Sequence, residues 1–367
     1  MSQTNWRHFD FWLLGAVALM TIFGITMIRS AVAGNIELAA TNIVQRQLIF
    51  AILGFIVVFV VSIIDYHLWA SISRPMYIVT AIFLGALTIA GQALYGSARW
   101  FDTGVILIQP SELAKIVVIL VLSDFFARNI DRLTNITWIG RSLLYTLGIV
   151  VWIILQPNLS TSLVIIAIWF SLLWASGLRI KYLLIFGGVG IVAPFAAFPF
   201  LADYQKQRIL NFLVPNPNAT QGETYNIQQA LISIGSGGWL GKGYNQGTQV
   251  HLRFLKVRWS DYIFAASAEE FGFVGSVIIM LLLLFIIYRC LRAARLARDT
   301  FGALIAYGVA MLLAFQGMVN IGVNLKLLPA TGLPLPFISY GGSSLLSLLL
   351  GVGLVESVIL RHKALEF

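Results

Sequence analysis

The chain has 367 residues, 59% of them hydrophobic and only 11% charged, with a mean hydropathy of +0.88 and a formal net charge of +9. That apolar load excludes a soluble globular domain, whose exterior must still be largely polar. The basic residues fall in short segments between apolar runs and form no single patch, which argues against nucleic acid, and the lone Cys290 excludes an internal disulfide.

A membrane-spanning helix needs about 20 predominantly apolar residues. By that measure the sequence predicts an all-α polytopic membrane protein with about ten transmembrane helices, over residues 11–29, 47–64, 76–94, 112–128, 142–156, 160–177, 182–201, 262–288, 302–324 and 342–360. Ala31-Val32-Ala33 looks like a signal-peptidase site, but the run from Phe11 to Ile28 is long for a signal segment and reads as a retained first helix. Arg74, Arg128, Arg132, Arg141 and the group from Arg289 to Arg298 share the face of the N-terminus. The opposite short loops hold only Arg29, Arg46, Arg99 and Lys326. The positive-inside bias therefore predicts that both termini are cytoplasmic. Residues 1–367 then form one membrane domain, with a large extracytoplasmic loop over 202–261 between the seventh and eighth spans.

Gln109-Pro110-Ser111-Glu112-Leu113-Ala114-Lys115 opens the fourth span, with proline suited to a helix start and Ser111 suited to capping it. Glu112 and Lys115 are neighbours on one helical face. They read equally as a structural ion pair between helices or as a charged cavity wall with Lys115 reaching toward a phosphate. In the long loop, Tyr225 to Ile232 has apolar residues at helical spacing. The stretch Gly235 to Gly243 is too rich in glycine for a stable helix and reads as a turned loop with Lys242 at its tip.

That loop ends in Arg258-Trp259-Ser260-Asp261 at the mouth of the eighth span. Ser260 or Asp261 would serve as the helix cap, and a carboxylate at a membrane surface beside a basic loop also suits chemistry on a lipid-borne head group. Glu269 and Glu270, about two turns further on, read as structural hydrogen-bonding groups. From Pro329 to Pro336 three prolines forbid a continuous helix, so the backbone there must line a protein-covered or watered cavity. Gly341-Gly342-Ser343-Ser344 then opens the tenth span, where a helix N-terminus would offer N–H groups to an anion.

Taken together, Gln109-Pro110-Ser111-Glu112 with Lys115, Asp261-Tyr262-Ile263-Phe264-Ala265 followed by Ala268-Glu269-Glu270-Phe271-Gly272, and Phe337-Ile338-Ser339-Tyr340-Gly341-Gly342-Ser343 resemble the SEDS family of bacterial cell-wall polymerases, in its RodA-like branch. The resemblance covers most of the chain. It implies a multi-pass protein of the bacterial inner membrane that polymerises lipid II into β-1,4 glycan strands on the outer face during cell elongation. It also implies that Asp261 is the essential catalytic residue. The acceptor hydroxyl must lose a proton, which suits a carboxylate base. The pyrophosphate leaving group must be stabilised by cations. The pool for that task is Arg46, Arg99, Lys115, Arg208 and Lys242, with Glu112 and Ser343 also counted as substrate-binding. A divalent cation, magnesium or manganese, is compatible with the chemistry near Asp261 or Glu112, although no metal-ligand spacing demands one.

The implied partners are a class B penicillin-binding transpeptidase and other membrane proteins of the elongation complex. Two departures from the family pattern stand out: Trp259 replaces a usual histidine, and Asn158 replaces a usual aspartate in Gln156-Pro157-Asn158-Leu159-Ser160-Thr161. Competing readings are a lipid II flippase and a scaffold that activates the transpeptidase. No inverted repeat or matched pair of broken helices supports the transporter.

Overall fold

The computed structural model describes residues 8–33, 42–95, 101–102, 107–132, 135–200, 203–214 and 221–362. Its elements in chain order are α1 (Phe11–Val32), α2 (Ile43–Ile63), α3 (Tyr66–Tyr95), β1 (Phe101–Asp102), β2 (Leu107–Ile108), α4 (Pro110–Arg128), α5 (Ile136–Leu155), α6 (Leu159–Ala175), α7 (Ile180–Ala197), α8 (Asp203–Leu213), α9 (Gly222–Gly237), α10 (Thr248–His251), α11 (Ile263–Leu296), α12 (Thr300–Asn324) and α13 (Gly342–Ile359), with short 3-10 turns at Ile130–Arg132 and Phe198–Phe200. The architecture is helical as expected. Among the described residues the one departure is a two-residue antiparallel ladder pairing Phe101 with Ile108 and Asp102 with Leu107.

Each of the ten predicted spans falls on a helix. Seven of them, α1, α2, α3, α5, α11, α12 and α13, are long and apolar enough to cross a membrane. The other three are α4, which carries Glu112, Lys115, Asp124 and Arg128, and α6 and α7 with 17 and 18 residues. The protein is a multi-pass membrane protein. Several of its helix starts are fixed by short polar side chains, each satisfying a main-chain N–H that the helix leaves open. Asp10 accepts from Leu13 N at 3.0 Å, Asn158 from Thr161 N at 3.3 Å, and Asp299 from Gly302 N at 3.1 Å. In α4 the expected serine cap is replaced: Gln109 is the cap residue, Pro110 holds the first position, and the Ser111 hydroxyl is buried with no partner among the described residues.

Helix α13 is buried along nearly its whole length and packs against α2, α12 and α4, so it forms the axis of the bundle. Around it, α2 turns Leu48, Ile49, Ile52, Ile56 and Ile63 outward, as lipid contact requires.

Helix α11 is interrupted at Gly272, whose φ of 66° and ψ of −162° are not helical. The interruption is filled by the glycine-rich segment between α9 and α10. Lys242 N and Gly243 N donate to the Glu269 and Glu270 carbonyls at 3.0 Å, while Phe273 N and Val274 N donate to the Gly238 and Trp239 carbonyls at 2.8 and 3.1 Å. Main-chain groups released by the break are thus paired again by the loop. A Cβ at Gly237 or Gly241 would overlap the carbonyls of Ala268 or Glu270, so the glycines serve close backbone approach. This corrects the expectation for residues 235–243: Gly235 to Gly237 close helix α9, and the rest is a fitted turn.

Candidate active site

Asp261 sits in the turn before α11, and the capping expectation fails. The helix is capped by Tyr262 without any side-chain bond, leaving the Asp261 carboxylate for other work. Its main-chain carbonyl is held by two amides of α12, Asn320 Nδ2 at 3.1 Å and Asn324 Nδ2 at 3.0 Å. Asn324 Oδ1 in turn accepts from Ala265 N at 3.1 Å, and Asn320 Nδ2 also donates to the Leu333 carbonyl at 2.8 Å. These two asparagines, four apart on one helical face, lock the start of α11 to the proline-rich segment.

A second clasp holds the turn from the other side. Ser339 Oγ donates to the Ser260 carbonyl at 2.7 Å and accepts from Leu335 N at 2.8 Å, while Tyr340 N donates to the Trp259 carbonyl at 2.9 Å. Buried Gln47 of α2 fastens the same segment, donating to the Ser339 carbonyl at 3.3 Å and accepting from Gly341 N at 3.2 Å. Sequence reasoning missed Asn320, Asn324 and Gln47. The first two were detectable as amides spaced i, i+4 inside an apolar run, where a polar group needs a partner.

The carboxylate lines a cavity of about 170 Å³ together with Arg208, Glu223, Asn226, Thr331 and Gly332. Ser260 Oγ donates to Asp261 Oδ1 at 2.9 Å. Gly332, with φ of +72°, lies beside Oδ2, so that even a methyl group there would touch the carboxylate. Burial pushes the Asp261 carboxyl above its ordinary value, against the lowering effects of the Ser260 hydroxyl and the Arg208 charge. Arg208 reaches the cavity from α8 and pairs through Nε with Glu223 Oε1 of α9 at 2.7 Å. Asn226 Oδ1 and Thr331 Oγ1, both on the cavity wall and buried, have no hydrogen-bond partner among the described residues. The wall therefore combines a carboxylate, a cation and uncommitted polar atoms, a set suited to a hydroxyl-rich, anionic substrate.

The other predicted site residues are dispersed. Lys115 is 0% exposed and its ammonium lies 2.8 Å from Glu112 Oε2, so the pair forms a sealed contact inside the bundle and the structure does not bring it to the cavity. Lys242 binds Glu269 Oε1 and Thr248 Oγ1, each at 2.7 Å. Glu269 also accepts from Gln249 N at 2.9 Å and Val250 N at 3.3 Å, and Glu270 accepts from Ser30 Oγ and from Asn245 N at 3.1 Å. Both glutamates thus organise residues 242–250, as their structural reading anticipates. Ser343 Oγ accepts from Gln109 N at 3.0 Å, joining the starts of α13 and α4. Arg46 is exposed at the start of α2, and Arg99 lies outside the described residues.

The two departures have local explanations. Trp259 packs against the hydrophobic core beneath the Arg258 guanidinium, 5.7 Å from its ring centre. Arg258 Nε donates to the Ala31 carbonyl at 2.6 Å, and burial lowers its pKa. Asn158 caps α6, and its neighbour Ser160 donates to the Thr331 carbonyl, which brings that segment to the cavity rim. Among the described residues no group of three or more histidines, cysteines or acids is placed to hold a metal ion.

Comparison with known proteins gives the family of the chain. The family described as "Cell cycle protein", covering FtsW, RodA and SpoVE, matches residues 11–364. The peptidoglycan glycosyltransferase MrdB of Escherichia coli strain K12 is 35% identical over 99% of this chain and 97% of its own length. Stage V sporulation protein E of Bacillus subtilis strain 168 is 33% identical, over 95% and 96%. Among solved structures, a chain of a peptidoglycan synthase complex that coordinates polymerization and crosslinking superposes with a TM-score of 0.80 at 29% identity, covering 96% of this chain and 97% of that one. The rod shape determining protein RodA of Thermus thermophilus superposes with a TM-score of 0.70 at 29% identity, covering 96% of each. With the family matched from the first span to the last and relatives aligned end to end, the chain belongs to the FtsW/RodA/SpoVE family.

Proposed function

We propose that this chain is a peptidoglycan glycosyltransferase that joins lipid II units into a β-1,4 glycan on the outer face of the bacterial inner membrane, with both termini cytoplasmic. The observation that carries the assignment is the Asp261 carboxylate, fixed through its own main chain and set beside Arg208 in a polar cavity. Full-length relatives named as peptidoglycan glycosyltransferases support the reaction class.

Asp261 takes the proton from the acceptor 4-hydroxyl as that oxygen attacks the anomeric carbon of the donor. The bond from that carbon to the pyrophosphate oxygen breaks, and the lipid pyrophosphate leaves. Attack opposite the leaving group turns an α-linked donor into a β-linked product. A carboxyl raised above its ordinary value is a stronger base, which favours proton removal in the transition state. Arg208 supplies positive charge where the pyrophosphate develops negative charge, and Glu223 holds it in place until then.

The synthase-complex relative supports pairing with a crosslinking enzyme, here a class B penicillin-binding transpeptidase of the elongation machinery. The deciding test is lipid II polymerisation by the purified chain with that partner, wild type against Asp261→Ala at matched complex levels. Strands from wild type alone are expected. Equal strands from the variant overturn the general-base role. Absence of strands from both, with lipid II still crossing vesicle membranes, points to a flippase, and an intact complex that only stimulates the transpeptidase points to a scaffold.

A further inference from the structure

The helix that begins beside Asp261 ends, 34 residues later, in a second polar site that the polymerisation chemistry does not use. Beyond the break at Gly272 the helix runs on to Leu296; at about 1.5 Å per residue that stretch is roughly 36 Å long, more than a hydrocarbon core of about 30 Å, so its last turn lies at head-group depth. There, a cleft of about 680 Å³ opens between the end of α11, the start of α12 and the end of α6. Its floor is apolar, with Leu291, Ala294, Leu304 and Tyr307, and its rim carries Arg295 and Arg298.

Both guanidiniums are exposed, and neither makes an ion pair or hydrogen bond among the described residues. The carboxylate beside them, Asp299, is committed elsewhere. Its Oδ1 accepts from Tyr66 OH at 2.7 Å and from Gly302 N at 3.1 Å, and its Oδ2 meets His67 Nε2 at 3.0 Å. The cleft therefore presents two guanidiniums without ion-pair partners among the described residues, against the single charge of the hydrogen-bonded Asp299, above an apolar trough. Water satisfies the first feature and bulk lipid tails satisfy the second. A molecule with a phosphate joined to an acyl chain satisfies both at once.

We propose that this cleft binds an anionic glycerophospholipid, its phosphate between Arg295 and Arg298 and its first acyl segment along Leu291, Ala294 and Leu304. Cationic recesses between helices on the side assigned to the cytoplasm by the basic-residue bias fit lipids of that charge. The apolar floor distinguishes this site from one for free phosphate, which gains nothing from it.

The test uses the detergent-purified full chain with an equimolar mixture of dioleoylphosphatidylglycerol and dioleoylphosphatidylcholine, with bound lipid counted by native mass spectrometry. Wild type is expected to retain the anionic lipid over the zwitterionic one by about tenfold or more. Arg295→Gln/Arg298→Gln is expected to bring the ratio to within about twofold of parity, while Arg292→Gln, exposed on the same helix but outside the cleft, leaves it unchanged. Ala294→Trp, which fills the trough and spares both charges, is expected to lower the ratio as well. No preference in wild type, or a preference that survives the double substitution, overturns the proposal. So does a site that inorganic phosphate occupies equally well before and after Ala294→Trp, which identifies a simple anion site. The surface arginine substitutions leave the packed bundle intact, so they decide the matter even if the tryptophan variant does not fold.

Discussion

Lys115→Met should be strongly destabilising, and its rescue by a second substitution separates structure from chemistry. The Lys115 ammonium and the Glu112 carboxylate are 2.8 Å apart and sealed from solvent within the bundle. Removing the lysine leaves a carboxylate buried without its counter-charge, at a cost of about 3–5 kcal/mol. That corresponds to a shift of the folded-to-unfolded ratio by roughly two to four orders of magnitude. Replacing both members, as Glu112→Gln/Lys115→Met, removes both charges in similar volume and is expected to recover stability to within about 1–2 kcal/mol of wild type. Unfolding by mixed detergent titration gives the stability, and lipid II polymerisation per folded molecule gives the activity. The ion pair is a structural clamp if the double variant regains both. A Lys115→Met protein as stable as wild type yet inactive refutes this reasoning and puts the ammonium on the substrate.

Three other substitutions probe the cavity and the loop. Arg208→Gln removes a charge that lowers the Asp261 pKa, so the acid limb of the polymerisation pH profile should move to higher pH; an unmoved limb argues against Asp261 as the base. Asn324→Leu leaves Ala265 N unsatisfied, at about 1–3 kcal/mol, and leaves the Asp261 carbonyl to Asn320 alone, and is expected to lower kcat more than KM, as steady-state polymerisation would show. Gly241→Ala places a methyl group on the Glu270 carbonyl at a φ of +81°, and is expected to release the loop, read as faster proteolysis between residues 238 and 256. Unchanged cleavage would mean that the fitted turn at Gly272 is not what holds it.

Much of the architecture was legible because the bilayer imposes it: length and apolarity alone delimited the spans, and every predicted one falls on a helix. Asp261 was legible through its place at a helix mouth within a recognisable motif. The cations were not sorted by sequence, because whether a lysine is free depends on carboxylates far along the chain. Lys242 is neutralised by Glu269, 27 positions away, and Arg208 is steered by Glu223. Nor could a glycine count reveal Gly238 to Gly243 as an ordered turn, since the partners that order it are the main-chain groups of a broken helix. The capping expectation at Asp261 failed for a related reason: tertiary bonds from Asn320 and Asn324 took over the anchoring, freeing the carboxylate.

The interruption at Gly272 also sets an order of events during biogenesis. A bilayer does not tolerate a helix with open main-chain amides and carbonyls, and in α11 those groups are closed by residues 238–243. Helix α11 is therefore complete only once residues 238–243 have folded onto it. Because α12 supplies the two asparagines that fix Asp261, that turn is completed later still, when α12 has arrived. A chain halted before that point would hold its carboxylate on an unfastened turn, so that assembly itself guards against premature chemistry at the membrane surface.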